Sequence, residues 1–178
     1  FRGSEKNVLK RFYDAGKKYS GKYIVRICGD CPFIEKSLLE KMIKKIRNNE
    51  LDYVSNINPP TYPDGLDLEV FTFNALSKAY FNSKTEYEKE HVTPYIRNNA
   101  NGKGYNLFTS INYPCAADYS KIRMTVDEVQ DFELIKILIH KLGSKMSWQE
   151  YTDFIISNNL SKINDDIIRN EGLLKSLK

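Results

Sequence analysis

KYIVRICGDCP, residues 22–32, decides the fold. A short run of β-branched and apolar residues breaks at Gly29, delivers a carboxylate at Asp30, and leaves through Pro32. That is the pattern of a buried strand entering a turn. KIRMTVDEVQDF, residues 121–132, repeats it: an apolar run, then Asp127, then a helical period. Both aspartates are therefore expected at one edge of a mostly parallel sheet, where open α/β folds bind their ligands. Two carboxylates converging there suit a divalent cation, and a cation there points to phosphates.

Outward from these two stretches, strand and helix patterns alternate. Residues 4–19 read as a helix with Ser4 as its cap, and residues 35–48 as a second helix carrying Leu38, Leu39, Met42, Ile43 and Ile46 on one stripe. LDYVSN (51–56) reads as a strand and NPPTYPDG (58–65) as a rigid polar loop. LDLEVFTF (66–73) runs into a helix, and YNLFTSINYP (105–114) and KIRMTVD (121–127) read as two more strands. The strongest helix is 127–143, with Asp127 and Gln130 as a capping box and Gly143 just past its end. A last helix spans Trp148 to Leu160. The expected architecture is a three-layer α/β domain over residues 1–160, with a mixed, mostly parallel sheet, and a polar tail or linker over 161–178. FRGSEKNVLKRFYDAG opens as the interior of a protein would, so a first βαβ unit is expected upstream of Phe1.

The chain has 178 residues, 41% hydrophobic and 28% charged, which is the composition of one globular domain. Its net charge of +4 is interleaved Lys and Glu on helix faces, so it argues for no nucleic-acid partner. No apolar run approaches a membrane span. Three cysteines and no signal peptide suggest a reduced, cytoplasmic setting. Cys28 and Cys31 form a C-x-x-C, but the first sits inside a strand pattern and neither His91 nor His140 is near, so zinc and redox chemistry are set aside. No phosphate-binding loop, dinucleotide fingerprint or nucleophile elbow is present.

The remaining polar residues gather in three places. TYPDGLDLEVF carries Asp64, Asp67 and Glu69, more acid than a turn needs, with Asp67 and Glu69 on one strand parity. KEHVTPYIRNN brings together Glu90, His91, Thr93, Tyr95 and Arg97, a set suited to an acidic or hydroxylated substrate. Arg26 and Arg123 lie in the runs that end at the two aspartates, where they either pair with local acids or neutralise phosphate.

Taken in order, YIVRICGDCPFI, DYVSN, TYPDGLDLEVF, EHVTPYIRNN and RMTVDEVQDFELI resemble the spore coat polysaccharide biosynthesis protein F family. These are cytidylyltransferase-like proteins related to CMP-KDO and CMP-sialic acid synthetases. The resemblance covers residues 1 to about 155. It implies a nucleotide-diphospho-sugar-transferase fold, similar to the core of type A glycosyltransferases, here lacking its first βαβ unit. It also implies that Asp30 and Asp127 hold Mg²⁺, with Arg26 in the catalytic set. Asp64, Asp67, Glu69, His91, Tyr95 and Arg123 would then face the acceptor. The expected reaction couples CTP, or another nucleotide, to a sugar acid or phosphorylated acceptor with release of pyrophosphate, in surface-glycan biosynthesis. The loop holding the nucleotide would lie upstream of Phe1, so this segment alone is expected not to turn over. A homodimer and a fused downstream enzyme are further expectations from the resemblance. Two other readings stay open: a glycosyltransferase on the same fold, and a non-catalytic binding domain.

Overall fold

The computed structural model describes residues 2–101 and 105–169. Helix α1 (Val8–Lys18) leads into strand β1 (Tyr23–Ile27), followed by α2 (Lys36–Asn48), β2 (Tyr53–Ser55), β3 (Leu68–Thr72) and α3 (Phe73–Asn82). Two short helices, α4 (Glu86–His91) and α5 (Pro94–Asn98), precede β4 (Ser110–Asn112), α6 (Val129–Leu142), α7 (Trp148–Ser157) and a 3₁₀ turn (Leu160–Ile163).

The sheet order is β1-β3-β2-β4. β3 runs antiparallel to both β1 and β2, whereas β2 and β4 are parallel. The sheet is thus mixed, with β3 opposed to the other three strands. The reason lies in the 56–67 connection, which is rich in Pro and Gly and forms no helix. A parallel return needs a crossover, usually helical, so the chain turns back beside β2 instead.

Side chains alternate across the sheet and build one core on each face. Leu68, Val70 and Val54 face Leu38, Met42 and Ile46 of α2, Leu134 and Leu138 of α6, and Tyr151 and Ile155 of α7. Tyr53 and Phe71 face the other way, onto Leu9 of α1, Leu76 and Ala79 of α3, and Ile96 of α5. Two layers of helix around one sheet give the three-layer architecture.

Three local expectations are corrected. Residues 121–127 are not a strand of the sheet; they lie along the 60s loop through a single parallel bridge between Asp64 and Arg123. Asn7, not Ser4, caps α1, its Oδ1 accepting from the Lys10 N–H at 2.9 Å, while Ser4 sits one turn upstream. The N-cap of α6 is Glu128, closed by Asp131 reaching back from the third helical position, rather than the Asp127–Gln130 pair. Asp131 Oδ2 accepts from the backbone N–H groups of Asp127 and Glu128, each at 3.0 Å, which frees Asp127 from a helix-end duty.

Candidate active site

Register places the site. Ile27, the last residue of β1, is opposite Leu68, the first of β3. The loop leaving β1 (Asp30) and the loop entering β3 (Asp64 and Asp67) therefore share one sheet edge. The 121–127 segment is laid against both. Asp64 N–H donates to Ile122 O at 2.8 Å and Met124 N–H donates to Asp64 O at 2.7 Å. Further along, Val126 N–H at 2.9 Å and the Thr125 hydroxyl at 3.1 Å both donate to Asp30 O. Gly65 permits this approach: its φ is +99°, and a Cβ there would lie 2.6 Å from the Met124 carbonyl and the Thr125 nitrogen. Only glycine tolerates that conformation and that contact.

The result is a cleft of about 510 Å³. Asp30 and Asp127 line it together. Partial burial pushes the Asp127 carboxyl up, and the charge of Asp30 adds to this against the lowering pull of Arg123. Two interacting carboxylates in one cleft favour a cation between them. Among the described residues no group of three or more His, Cys, Asp or Glu side chains is arranged to hold a metal. Asp30 and Asp127 could thus supply two ligands to Mg²⁺, an ion that retains waters and takes phosphate oxygens for the rest of its shell.

Arg123 is the hub beneath this pair, its side chain only 8% exposed. Its Nη1 donates to Asp64 Oδ2 at 2.7 Å, its Nη2 to Asp127 Oδ2 at 2.7 Å, and its Nε and Nη2 to both oxygens of Asp131 at 2.8 Å. Burial alone would lower the Arg123 pKa, but these carboxylates outweigh it and hold the guanidinium charged. Asp131 in turn stays below the usual carboxylate range: burial opposes this, but Arg123, Asn164 and two backbone N–H groups overcome it. Burial raises Asp64 despite Arg169 and Arg123 on either side, and raises Asp67 to about 6 against the pull of Arg169.

The other residues expected from sequence divide. Arg26 lines the cleft and donates to Glu69 Oε2 at 2.8 Å. Glu69, expected to touch substrate, does not line the cleft; it is 1% exposed and binds Arg26 and the Tyr53 hydroxyl, so it orients Arg26 from below. His91 lines the cleft, its pKa lowered by burial and by Arg26 and Arg97, with Glu90 opposing. Tyr95 does not line it, because its ring packs edge-on against Phe108 in the second core. Cys28 and Cys31 also line the cleft as free thiols, both pushed up by burial first, which keeps them protonated and unreactive.

Four arginines face the cleft: Arg26, Arg97, Arg123 and Arg169. Three pair with carboxylates; among the described residues Arg97 has no carboxylate within ion-pair distance. Sequence reasoning missed Asp131, although the spacing Arg123, Asp127, Asp131 is a four-residue ladder that could have revealed it. It also missed Asn164 and Arg169, which carry no local signal.

A family model described as cytidylyltransferase matches residues 1–157. An uncharacterized protein of Methanocaldococcus jannaschii is 42% identical over 172 residues, spanning 94% of this chain and 67% of that protein. The spore coat polysaccharide biosynthesis protein SpsF of Bacillus subtilis is 33% identical over 146 residues, spanning 82% of this chain and 58% of SpsF. Among solved structures, a cytidylyltransferase from Leptospira borgpetersenii superposes with a TM-score of 0.84 at 32% identity, covering 94% of this chain and 69% of that one. The chain thus spans roughly three fifths to two thirds of the length of these relatives.

Proposed function

The chain belongs to the cytidylyltransferase family, a family of nucleotidyltransferases, and from that premise we propose that it activates a sugar acid or phosphorylated acceptor with CTP in polysaccharide biosynthesis. An acceptor oxygen attacks the α-phosphorus of the nucleotide, a new P–O bond forms, and the bond to pyrophosphate breaks. The observation that carries this reading is the juxtaposition of Asp30 and Asp127 in a cleft lined by arginines.

Asp30 and Asp127 would hold Mg²⁺. When bound, the ion supplies neutralisation of the phosphate charge as the bond to pyrophosphate breaks. The protein's own contribution is positional. Arg123 fixes Asp127 from beneath while Asp131 and Asp64 balance its charge. Arg97, the cleft arginine without a carboxylate partner among the described residues, is the cation left for an anionic substrate group. Arg26, held by Glu69, is the second arginine on that side.

The test is pyrophosphate release by the intact protein containing this chain, with CTP, Mg²⁺ and a panel of sugar acids and sugar phosphates. Acceptor-dependent release supports the reading. Sugar transfer from a nucleotide-sugar donor without pyrophosphate release would replace it with a glycosyltransferase.

A further inference from the structure

The segment after α7, beginning at Asn158, enters the site twice. Asn164, 2% exposed, donates from Nδ2 to Asp131 Oδ1 at 2.8 Å and to Arg123 O at 3.3 Å. Five residues on, Arg169 reaches the opposite end of the same network. Its Nη2 donates to Asp67 Oδ1 at 2.5 Å and its Nη1 to Tyr62 O at 3.3 Å. Its Nε is buried, lies 3.5 Å from Asp64 Oδ1, and makes no hydrogen bond. Asp64 is thereby held between two guanidinium groups, Arg123 on one oxygen and Arg169 on the other. Charge alternates along the floor of the cleft: Asp131, Arg123, Asp64, Arg169, Asp67.

Two features separate this from a surface arginine that fastens a tail. Arg169 is 17% exposed on its side chain, so its charge is committed to a site where desolvation must be balanced by partners. And Asp67, which lines the cleft, uses only Oδ1 for Arg169; its Oδ2 has no hydrogen-bond donor among the described residues. An acceptor oxygen left open in a half-closed cleft suits a donor from the substrate. That end of the cleft carries two carboxylates already matched by arginines, so it offers a triphosphate no free cation and suits the neutral, hydroxylated part of the second substrate.

We propose that Arg169 is a positioning residue for acceptor recognition, holding Asp67 so that its open oxygen receives a hydroxyl of the acceptor. The proposal rests on the nucleotidyltransferase reading above. Without Arg169, Asp67 is free to rotate and Asp64 loses half of its charge compensation, so the acceptor loses its anchor while the nucleotide end keeps Asp30, Asp127 and Arg123.

The experiment is steady-state kinetics of the intact protein with the acceptor that wild type turns over, comparing Arg169→Gln, Arg169→Lys and Asp67→Asn, with thermal melting as a folding check. Arg169→Gln should raise the acceptor KM about tenfold or more, a loss of about 1.4 kcal/mol in acceptor binding, and leave the CTP KM within about twofold. Asp67→Asn should reproduce that split, and Arg169→Lys should recover part of it. If Arg169→Gln does not fold, Asp67→Asn and Arg169→Lys decide alone. Equal changes in both KM values, or none in a folded variant, make Arg169 a fastening for the segment and overturn the proposal. Wild-type protein that releases no pyrophosphate with any acceptor removes the premise and the proposal together, an outcome distinct from an active enzyme with an unsplit KM.

Discussion

The cleft holds two pairs of aspartates, and they are built differently. Asp64 and Asp67 are each met by a guanidinium at hydrogen-bond or ion-pair distance, with Asp64 between two of them. Asp127 is met by one arginine, Arg123, itself divided among three aspartates, and among the described residues Asp30 has no ion-pair partner. One pair is compensated by the protein and the other is left short of positive charge. A compensated pair shapes a cleft; an uncompensated pair on the same wall is where a cation from solution gains most. The arginines show the same division: among the described residues three are paired with carboxylates and Arg97 is not.

The largest effect should come from the uncompensated pair. Asp30→Asn or Asp127→Asn should lower acceptor-dependent pyrophosphate release by on the order of 10³-fold, the scale of several kcal/mol of charge stabilisation, while urea unfolding stays cooperative. Turnover within tenfold of wild type would erase the distinction between the pairs.

The compensated side should answer in stability instead. Arg123→Met strands buried Asp131 without its ionic partner and leaves Asp64 with Arg169 alone, and should cost about 3–5 kcal/mol in chemical denaturation. Gly65→Ala should cost about 1–3 kcal/mol, because it forces a side chain into positive φ and against the Met124–Thr125 backbone. It should also displace Asp127 and depress turnover, linking the two pairs through one backbone contact. Arg97→Gln breaks no ion pair among the described residues, so unfolding should move by less than about 0.5 kcal/mol. The KM of an anionic substrate should nevertheless rise, and an unchanged KM would remove Arg97 from the site.

The smallest effect is a pH dependence on the compensated side. Asp67 is raised to about 6 in the folded protein, chiefly by burial. A carboxyl whose folded pKa exceeds its unfolded one binds its proton more tightly when folded, so its contribution falls as pH rises from about 4 to about 6. Asp67→Asn should flatten that part of the stability curve relative to wild type, as read by melting across the range.

What the sequence makes legible follows from locality. The first strand, its turn and Asp30 are one contiguous stretch, and β-branched patterning plus Gly and Pro suffice to place them. The 121–127 run has the same composition yet does not join the sheet. Its polar residue, Arg123, is claimed by three aspartates, and its backbone by the 60s loop, and no periodicity records that competition. Parity alone put Asp67 and Glu69 together. The register pairs Glu69 with Arg26 across the strands and leaves it beneath the cleft rather than in it. Tyr95 belongs to a short helix whose inner face is core, a distinction invisible in a cluster of polar residues. Arg169 is least legible of all. It lies more than 100 positions from Asp67 in a segment that reads as polar tail, and only the folded chain brings the two within 2.5 Å.

The central claim, that Asp30 and Asp127 await a cation bearing a nucleotide, is tested most directly by calorimetric titration of CTP into the intact protein with and without Mg²⁺. Nucleotide binding should strengthen at least tenfold with Mg²⁺ in wild type, and Asp127→Asn should abolish that gain while binding CTP alone as before. Equal Mg²⁺ dependence in wild type and Asp127→Asn would contradict the account and make the pair a structural feature of the turn.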